Sequence, residues 1–270
     1  MMRDGSVKKM AVKHTSGRVE EVAMVFVGPN AKARNPKIKG NTPRWKQDQN
    51  DRHGVKRLNR VLCGNFQPGD LLVGLLYDPE HLPANREEAE RDAANLLRRL
   101  AYAMKKDGLE LRYILVTADM DGKTGQVARL HHHVVLPKEA FDHVRKAWGL
   151  GDVRFDPLRK TPDFMGLAAY LLNQVKRIPQ KKKYRPSRNL AQPKWSEKEM
   201  GAGEEIKVPR GAIKLDETRD EFGNLIYLRY RRADLKPRAR RGAQFAQGEQ
   251  IAGVAAQLHE TEKGGGGSGK

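Results

Sequence analysis

Between residues 71 and 176 the spacing of apolar positions changes several times, and each change marks an element. Leu71–Tyr77 is a continuous apolar run opened by Pro68–Gly69–Asp70 and closed by Asp78–Pro79, the pattern of a buried strand. From Asn85 the period lengthens. Asn85 and Glu88 form a capping pair, and Ala89, Ala93, Leu96, Leu97, Leu100 and Met104 then recur at helical intervals until Gly108, which predicts a long amphipathic helix. Leu111–Thr117 and Ala128–Leu136 return to strand patterning on either side of the Asp121–Gly122 turn, as a hairpin would. Pro137–Trp148 reads as a helix ended by Gly149, Gly151–Phe155 as a short strand, and Asp163–Lys176 as a further helix. The order β-α-β-β-α-β-α predicts an α+β fold, a mainly antiparallel sheet with helices packed on one face. A later pair of strand-like runs, Ala212–Glu217 and Asn224–Tyr230, flanks Phe222–Gly223 and predicts a β-hairpin appendage.

Outside this span the patterning fades. Residues 1–58 are rich in Lys, Arg, Asn, Gly and Pro, and only Val19–Val27 reads as ordered, so the expectation is a basic flexible arm. From Pro237 the composition is again basic, ending in a Gly/Ser run that behaves as a linker-like tail. The expected organisation is an arm over 1–58, a main domain over 59–191, the hairpin appendage over 192–236 and a tail over 237–270.

Charge narrows the partners. The 52 Lys and Arg residues against 33 Asp and Glu give a formal net charge of +19. A field of that sign attracts polyanions and releases counterions from a phosphate backbone, so nucleic acid is the first partner expected. Cys63 is the single cysteine, which rules out an intramolecular disulfide and a cysteine-rich zinc site and fits a reducing cytoplasm. As a nucleophile it is a poor candidate, since it follows an apolar pair and reads as a packed thiol. No apolar run approaches the length of a membrane helix, and the charged N-terminus lacks a signal-peptide core, so no membrane partner is expected.

His131–His132–His133 is the most informative cluster. On a strand, His131 and His133 share one face, while Leu130, His132, Val134 and Leu136 share the other. Two imidazoles so placed can reach one metal ion, and His132 is expected in or near the core. A third ligand is expected from the neighbouring strand end, where Asp119 stands, with Asp121 or Glu110 behind it.

Tyr170, in Gly166–Leu167–Ala168–Ala169–Tyr170, lies early on the helix downstream of the histidine strand. A tyrosine hydroxyl can serve as nucleophile when a metal polarises the electrophile. The basic stretch Lys176, Arg177, Lys181, Lys182, Lys183, Arg185 and Arg188, with Tyr184 among them, suits phosphate contacts and base stacking. Gly122–Lys123–Thr124 looks like the end of a phosphate-binding loop, but Thr117 stands where that motif needs its first glycine. No ATPase motif is legible, so strand unwinding is expected from another protein.

Together these residues resemble the HUH endonuclease superfamily, in particular the rolling-circle replication initiators of single-stranded DNA phages and plasmids. The likeness spans about Arg57 to Tyr230. It rests on Asn65–Phe66 with Pro68–Gly69–Asp70, on Arg112–Thr117, on Arg129–Leu136, on Leu167–Tyr170, on Ser187–Leu190 with Pro193, and on Phe222–Gly223. The resemblance implies a ferredoxin- or RRM-like domain over 59–191 in which His131 and His133 hold a divalent ion, Mg2+ or Mn2+, against the scissile phosphate. It implies that Tyr170 attacks single-stranded or origin-hairpin DNA to give a 5′-phosphotyrosyl link and a 3′-hydroxyl, with a host helicase and DNA polymerase as partners. Two positions depart from the pattern: Asn173 stands where many relatives carry a lysine three residues after the nucleophile, and Ala118–Asp119 where many carry a glutamate. An HUH relaxase or transposase, or a nucleic-acid-binding module with structural histidines, are the competing readings.

Overall fold

A computed structural model describes residues 7–28, 43–122, 124–176, 182–201, 203–219 and 226–233. In chain order the elements are β1 (Lys8–Ser16), β2 (Val19–Val27), α1 (Arg44–Asn65), β3 (Leu71–Leu75), α2 (Arg86–Lys106), β4 (Ile114–Met120), β5 (Val127–Leu136), α3 (Phe141–Ala147), β6 (Val153–Pro157), α4 (Met165–Asn173), β7 (Arg185–Pro186), β8 (Lys194–Glu199), β9 (Ile213–Arg219) and β10 (Ile226–Arg231). The protein is α+β: among the described residues, two antiparallel sheets and four α-helices.

The central sheet has the order β6-β3-β5-β4-β7. β5 lies between β3 and β4 and pairs antiparallel with both, Val134 standing opposite Val73 on one side and Leu115 on the other. The expected β-α-β-β-α-β-α succession is therefore present over β3 to α4. Asn85 caps α2, its side chain accepting from the Glu88 amide at 2.9 Å, and the apolar stripe expected from Ala89 to Met104 is buried.

The helices do not all pack on one face, which corrects the expectation. Leu130, Val134 and Leu136 of β5 join α2 and α3 in one core, whereas Val135, with Ile114 and Val116 of β4, joins α1 and α4 in a second. A strand whose alternate side chains are apolar on both sides must be covered twice to keep them from water. The second cover is α1, which begins inside the span read as an arm. Its first turns, Arg44 to Arg57, are almost entirely polar, and only Leu58, Val61 and Leu62 bury a strong apolar edge. The helix ends where Asn65 turns inward: its Nδ2 donates to Val61 O at 2.8 Å and Ala191 O at 2.9 Å, and its Oδ1 accepts from the Ala191 amide.

β1 and β2 correct the arm expectation further. They form a hairpin through Gly17 and sit in a second sheet of order β8-β1-β2-β10-β9. β9 and β10 do pair antiparallel as the expected hairpin would, but β10 also pairs with β2, so 192–236 contributes strands to a shared sheet instead of standing as an appendage. One face of this sheet is apolar, built on Val22, Leu228 and Tyr230 with Ile206 and Val208 against it. The other meets α1 through polar contacts: Arg60 Nε donates to Glu21 Oε2 at 2.8 Å, and Lys56 Nζ lies 3.6 Å from the centre of the Tyr227 ring. Arg229 Nε reaches Asp163 Oδ2 at 3.2 Å beside them. The parts of the arm at 1–6 and 29–42, the Phe222–Gly223 turn and the tail over 237–270 lie outside the described residues. No described helix is long and apolar enough to cross a membrane.

Candidate nucleophile and metal site

The alternation of β5 sorts the three histidines. His132 points into the core with α2 and is fully buried; its Nε2 lies 2.9 Å from the Tyr77 hydroxyl and its Nδ1 3.1 Å from Thr117 Oγ1. Burial above all, reinforced by the neighbouring His131, His133 and Arg86, pushes its pKa down to about 3, so the ring is neutral and structural. This agrees with the core role expected for it.

His131 and His133 point to the opposite face, where their Nε2 atoms are 3.2 Å apart. His131 Nδ1 faces the Arg129 carbonyl at 2.8 Å, and a carbonyl only accepts, so that nitrogen carries a proton and Nε2 is the atom left to meet a ligand. Burial, and then His131, push His133 down to about 4, leaving it neutral at physiological pH.

α4 brings the remaining groups. The Tyr170 ring stands edge-on to His133 with centroids 5.4 Å apart and is 44% exposed. One turn later, Gln174 Oε1 lies 3.0 Å from His133 Nε2, and Gln174 Nε2 reaches back to Tyr170 O at 3.4 Å. A close backbone approach makes room for it. A Cβ on Gly122 would sit 2.9 Å from Gln174 Cγ, so any larger residue in the turn between β4 and β5 would push this side chain aside.

These contacts bring His131 Nε2, His133 Nε2 and Gln174 Oε1 together beside an accessible tyrosine; because an amide oxygen only accepts, His133 Nε2 carries the ring proton here, and that proton would move to Nδ1 when a metal is held. Ligands about 2.1 Å from a small divalent ion stand roughly 3 Å apart along an octahedral edge, and the observed spacings of 3.0 and 3.2 Å fit that arrangement. His133 Nδ1 is buried without a hydrogen-bond partner among the described residues. Among the described residues no three His, Cys, Asp or Glu side chains group together as a ligand set. The third polar group beside the two histidines is the side-chain amide of Gln174.

Asp119, expected as the third ligand, has other partners. Its Oδ2 accepts from Arg86 Nη1 at 2.9 Å and its Oδ1 from the Lys176 amide at 2.7 Å. Sequence reasoning missed Gln174 and Arg86. For Gln174 a signal existed: it is a polar residue four after Tyr170, flanked by the buried Leu171, Leu172 and Val175.

The basic stretch divides. Lys176, Lys182, Arg185 and Arg188 are exposed, and Arg185 belongs to β7, paired with Leu115 of β4. Lys183 is partly buried, with Nζ 3.5 Å from Asp51 Oδ1 and 3.4 Å from Leu172 O, which ties the segment to α1 and α4. Tyr184 packs against the α1–α4 core, and burial raises its hydroxyl pKa. Lys182, Lys183, Tyr184 and Arg185 line a cleft of about 300 Å³ with Arg86. Arg177 and Lys181 lie outside the described residues. Compared with protein-family models, curated proteins and solved structures, the chain matches none of them.

Proposed function

We propose that the chain is a metal-assisted nickase and strand transferase of single-stranded DNA, of the HUH endonuclease type, that initiates rolling-circle replication. The observation that carries this reading is the meeting of Tyr170 on α4 and Gln174 just after its end with His131 and His133 on β5. Support also comes from the central sheet, whose four strands β6-β3-β5-β4 have the ferredoxin-like order of a split β-α-β unit.

Held by His131, His133 and Gln174, Mg2+ or Mn2+ would supply Lewis-acid polarisation of the scissile phosphate. Tyr170 contributes the nucleophile. Its phenolic oxygen forms the new bond to phosphorus while the bond to the 3′ oxygen breaks; the phenol loses its proton and the departing oxygen gains one. The products are a 5′-phosphotyrosyl chain and a free 3′-hydroxyl, which a host polymerase extends after a host helicase opens the duplex. Reversal by another 3′-hydroxyl rejoins the strand. Setting the nucleophile on α4 four residues before a ligand at the end of that helix would bring the attacking atom and the phosphate together, which is proximity catalysis in its simplest form. Burial keeps the His133 imidazole neutral at physiological pH. The exposed Lys182, Arg185 and Arg188 would hold the strand by its phosphates.

The test is incubation with pools of single-stranded DNA and Mn2+, followed by denaturing gel and mass spectrometry. The expected product is a DNA adduct on Tyr170 that disappears with chelator and in Tyr170→Phe. Tight binding with no adduct under any divalent metal would refute the reading in favour of a binding module.

A further inference from the structure

Gln174 follows the last residue of α4, where a helix ordinarily frays because its final carbonyls lack intrahelical partners. Here the end is tied to β4. The amides of Asp119 and Met120 both donate to Gln174 O, at 3.0 and 3.1 Å. The Asp119 side chain then accepts from the Lys176 amide, so a single residue grips the chain on both sides of Val175.

Asp119 is itself held. Arg86, the first residue of α2, gives Nη1 to Asp119 Oδ2 at 2.9 Å, Nη2 to Thr117 O at 2.8 Å and Nε to Glu90 Oε1 at 2.9 Å. The guanidinium is fixed at three points and 18% exposed, so the carboxylate it orients has little freedom. A chain of contacts thus runs from the first turn of α2, through the end of β4, to the backbone that aims Gln174 at His133.

We infer that Asp119, oriented by Arg86, is a positioning residue that holds Gln174 Oε1 in the ligand cluster, and so sets metal affinity without touching the metal. This rests on the proposed metal site and assigns within it a role to two residues that make no contact with the histidine cluster. Groups that orient ligands in this indirect way typically change affinity roughly 10–100-fold when removed.

The experiment is Mn2+ titration of the full chain without DNA, followed by electron paramagnetic resonance of the free ion, on wild type, Gln174→Ala, Asp119→Ala, Asp119→Asn, Arg86→Gln and the double variant Asp119→Ala with Gln174→Ala. Asp119→Ala is expected to weaken Mn2+ binding about tenfold or more. Asp119→Asn, which keeps an acceptor for the Lys176 amide but loses the ion pair, and Arg86→Gln should fall between it and wild type. The deciding comparison is the double variant. If Asp119 acts through Gln174, adding Asp119→Ala to Gln174→Ala costs nothing further. Additive losses would overturn the inference, because they are what a direct ligand or a general loss of structure produces. Wild-type affinity in Asp119→Ala would overturn it equally. A wild-type chain that binds no Mn2+ at millimolar concentration would instead sink the metal reading itself.

Discussion

Gly17 gives the sharpest test of the part of the fold that differs most from expectation, the seating of the β1–β2 hairpin on α1. Its φ is +58°, and a Cβ built there would lie 2.3 Å from the carbonyl oxygen of Cys63, far inside contact distance and against backbone that cannot swing away. Gly108, just past the end of α2, has a similar φ of +71° with nothing within 4 Å. Both substitutions to alanine incur the left-handed penalty of about 1–2 kcal/mol, and both reduce unfolded-chain freedom alike. Only Gly17→Ala adds steric overpacking, about 1–3 kcal/mol. The expected loss is therefore about 1–2 kcal/mol for Gly108→Ala and about 2–5 kcal/mol for Gly17→Ala, against a domain stability on the order of 5–15 kcal/mol. Urea unfolding followed by tryptophan fluorescence measures both. Equal midpoint shifts at equal slope would mean that the hairpin turn does not bear on α1.

Three further outcomes follow from the geometry. His131→Ala combined with His133→Ala should abolish adduct formation yet leave the steep salt dependence of DNA binding, because that slope counts phosphate contacts and not imidazoles; loss of both together would make the histidines structural. Gly122→Ala should slow adduct formation with little change in the unfolding midpoint, since its Cβ would press on the flexible Gln174 side chain; an unchanged rate would remove Gln174 from the site. Burial pushes the Cys63 thiol up to about 12, so its thiolate fraction at pH 8 is roughly a thousandfold below that of a free thiol. Alkylation of the folded chain, read by mass spectrometry, should be slower by about that factor than in urea, and comparable rates would place Cys63 outside the packed layer.

What the sequence discloses is what local periodicity can encode. The β3 to α4 succession, the Asn85 cap and the separation of His132 from its neighbours all follow from spacing within one element, and each stands as expected. What it hides depends on partners far along the chain. α1 has too few apolar residues in its first half to declare itself, because it lies between an apolar sheet face that needs only Leu58, Val61 and Leu62 and a polar one that takes Lys56 and Arg60. β1 alternates weakly because nearly all of its residues, on both faces, are half-buried between β2 and the distant strand β8. Asp119 illustrates the limit at the site. Its place at a strand end beside the histidines suits a ligand equally well, but its two carboxylate oxygens are engaged by Arg86, 33 residues earlier, and by the Lys176 amide, 57 residues later.

The donor set has a thermodynamic corollary. Two imidazoles and an amide contribute no formal charge, so a divalent ion held by His131, His133 and Gln174 keeps its full charge at the protein surface. A site with a carboxylate would neutralise part of that charge permanently; here the neutralising anion is left to the substrate. By linkage, a DNA phosphate that tightens the hold on the ion must be held more tightly by the ion to the same degree. In the proposed nickase the two therefore load as a pair. The apparent affinity for DNA should rise with metal concentration, and the affinity for metal should rise by the same factor when DNA is bound.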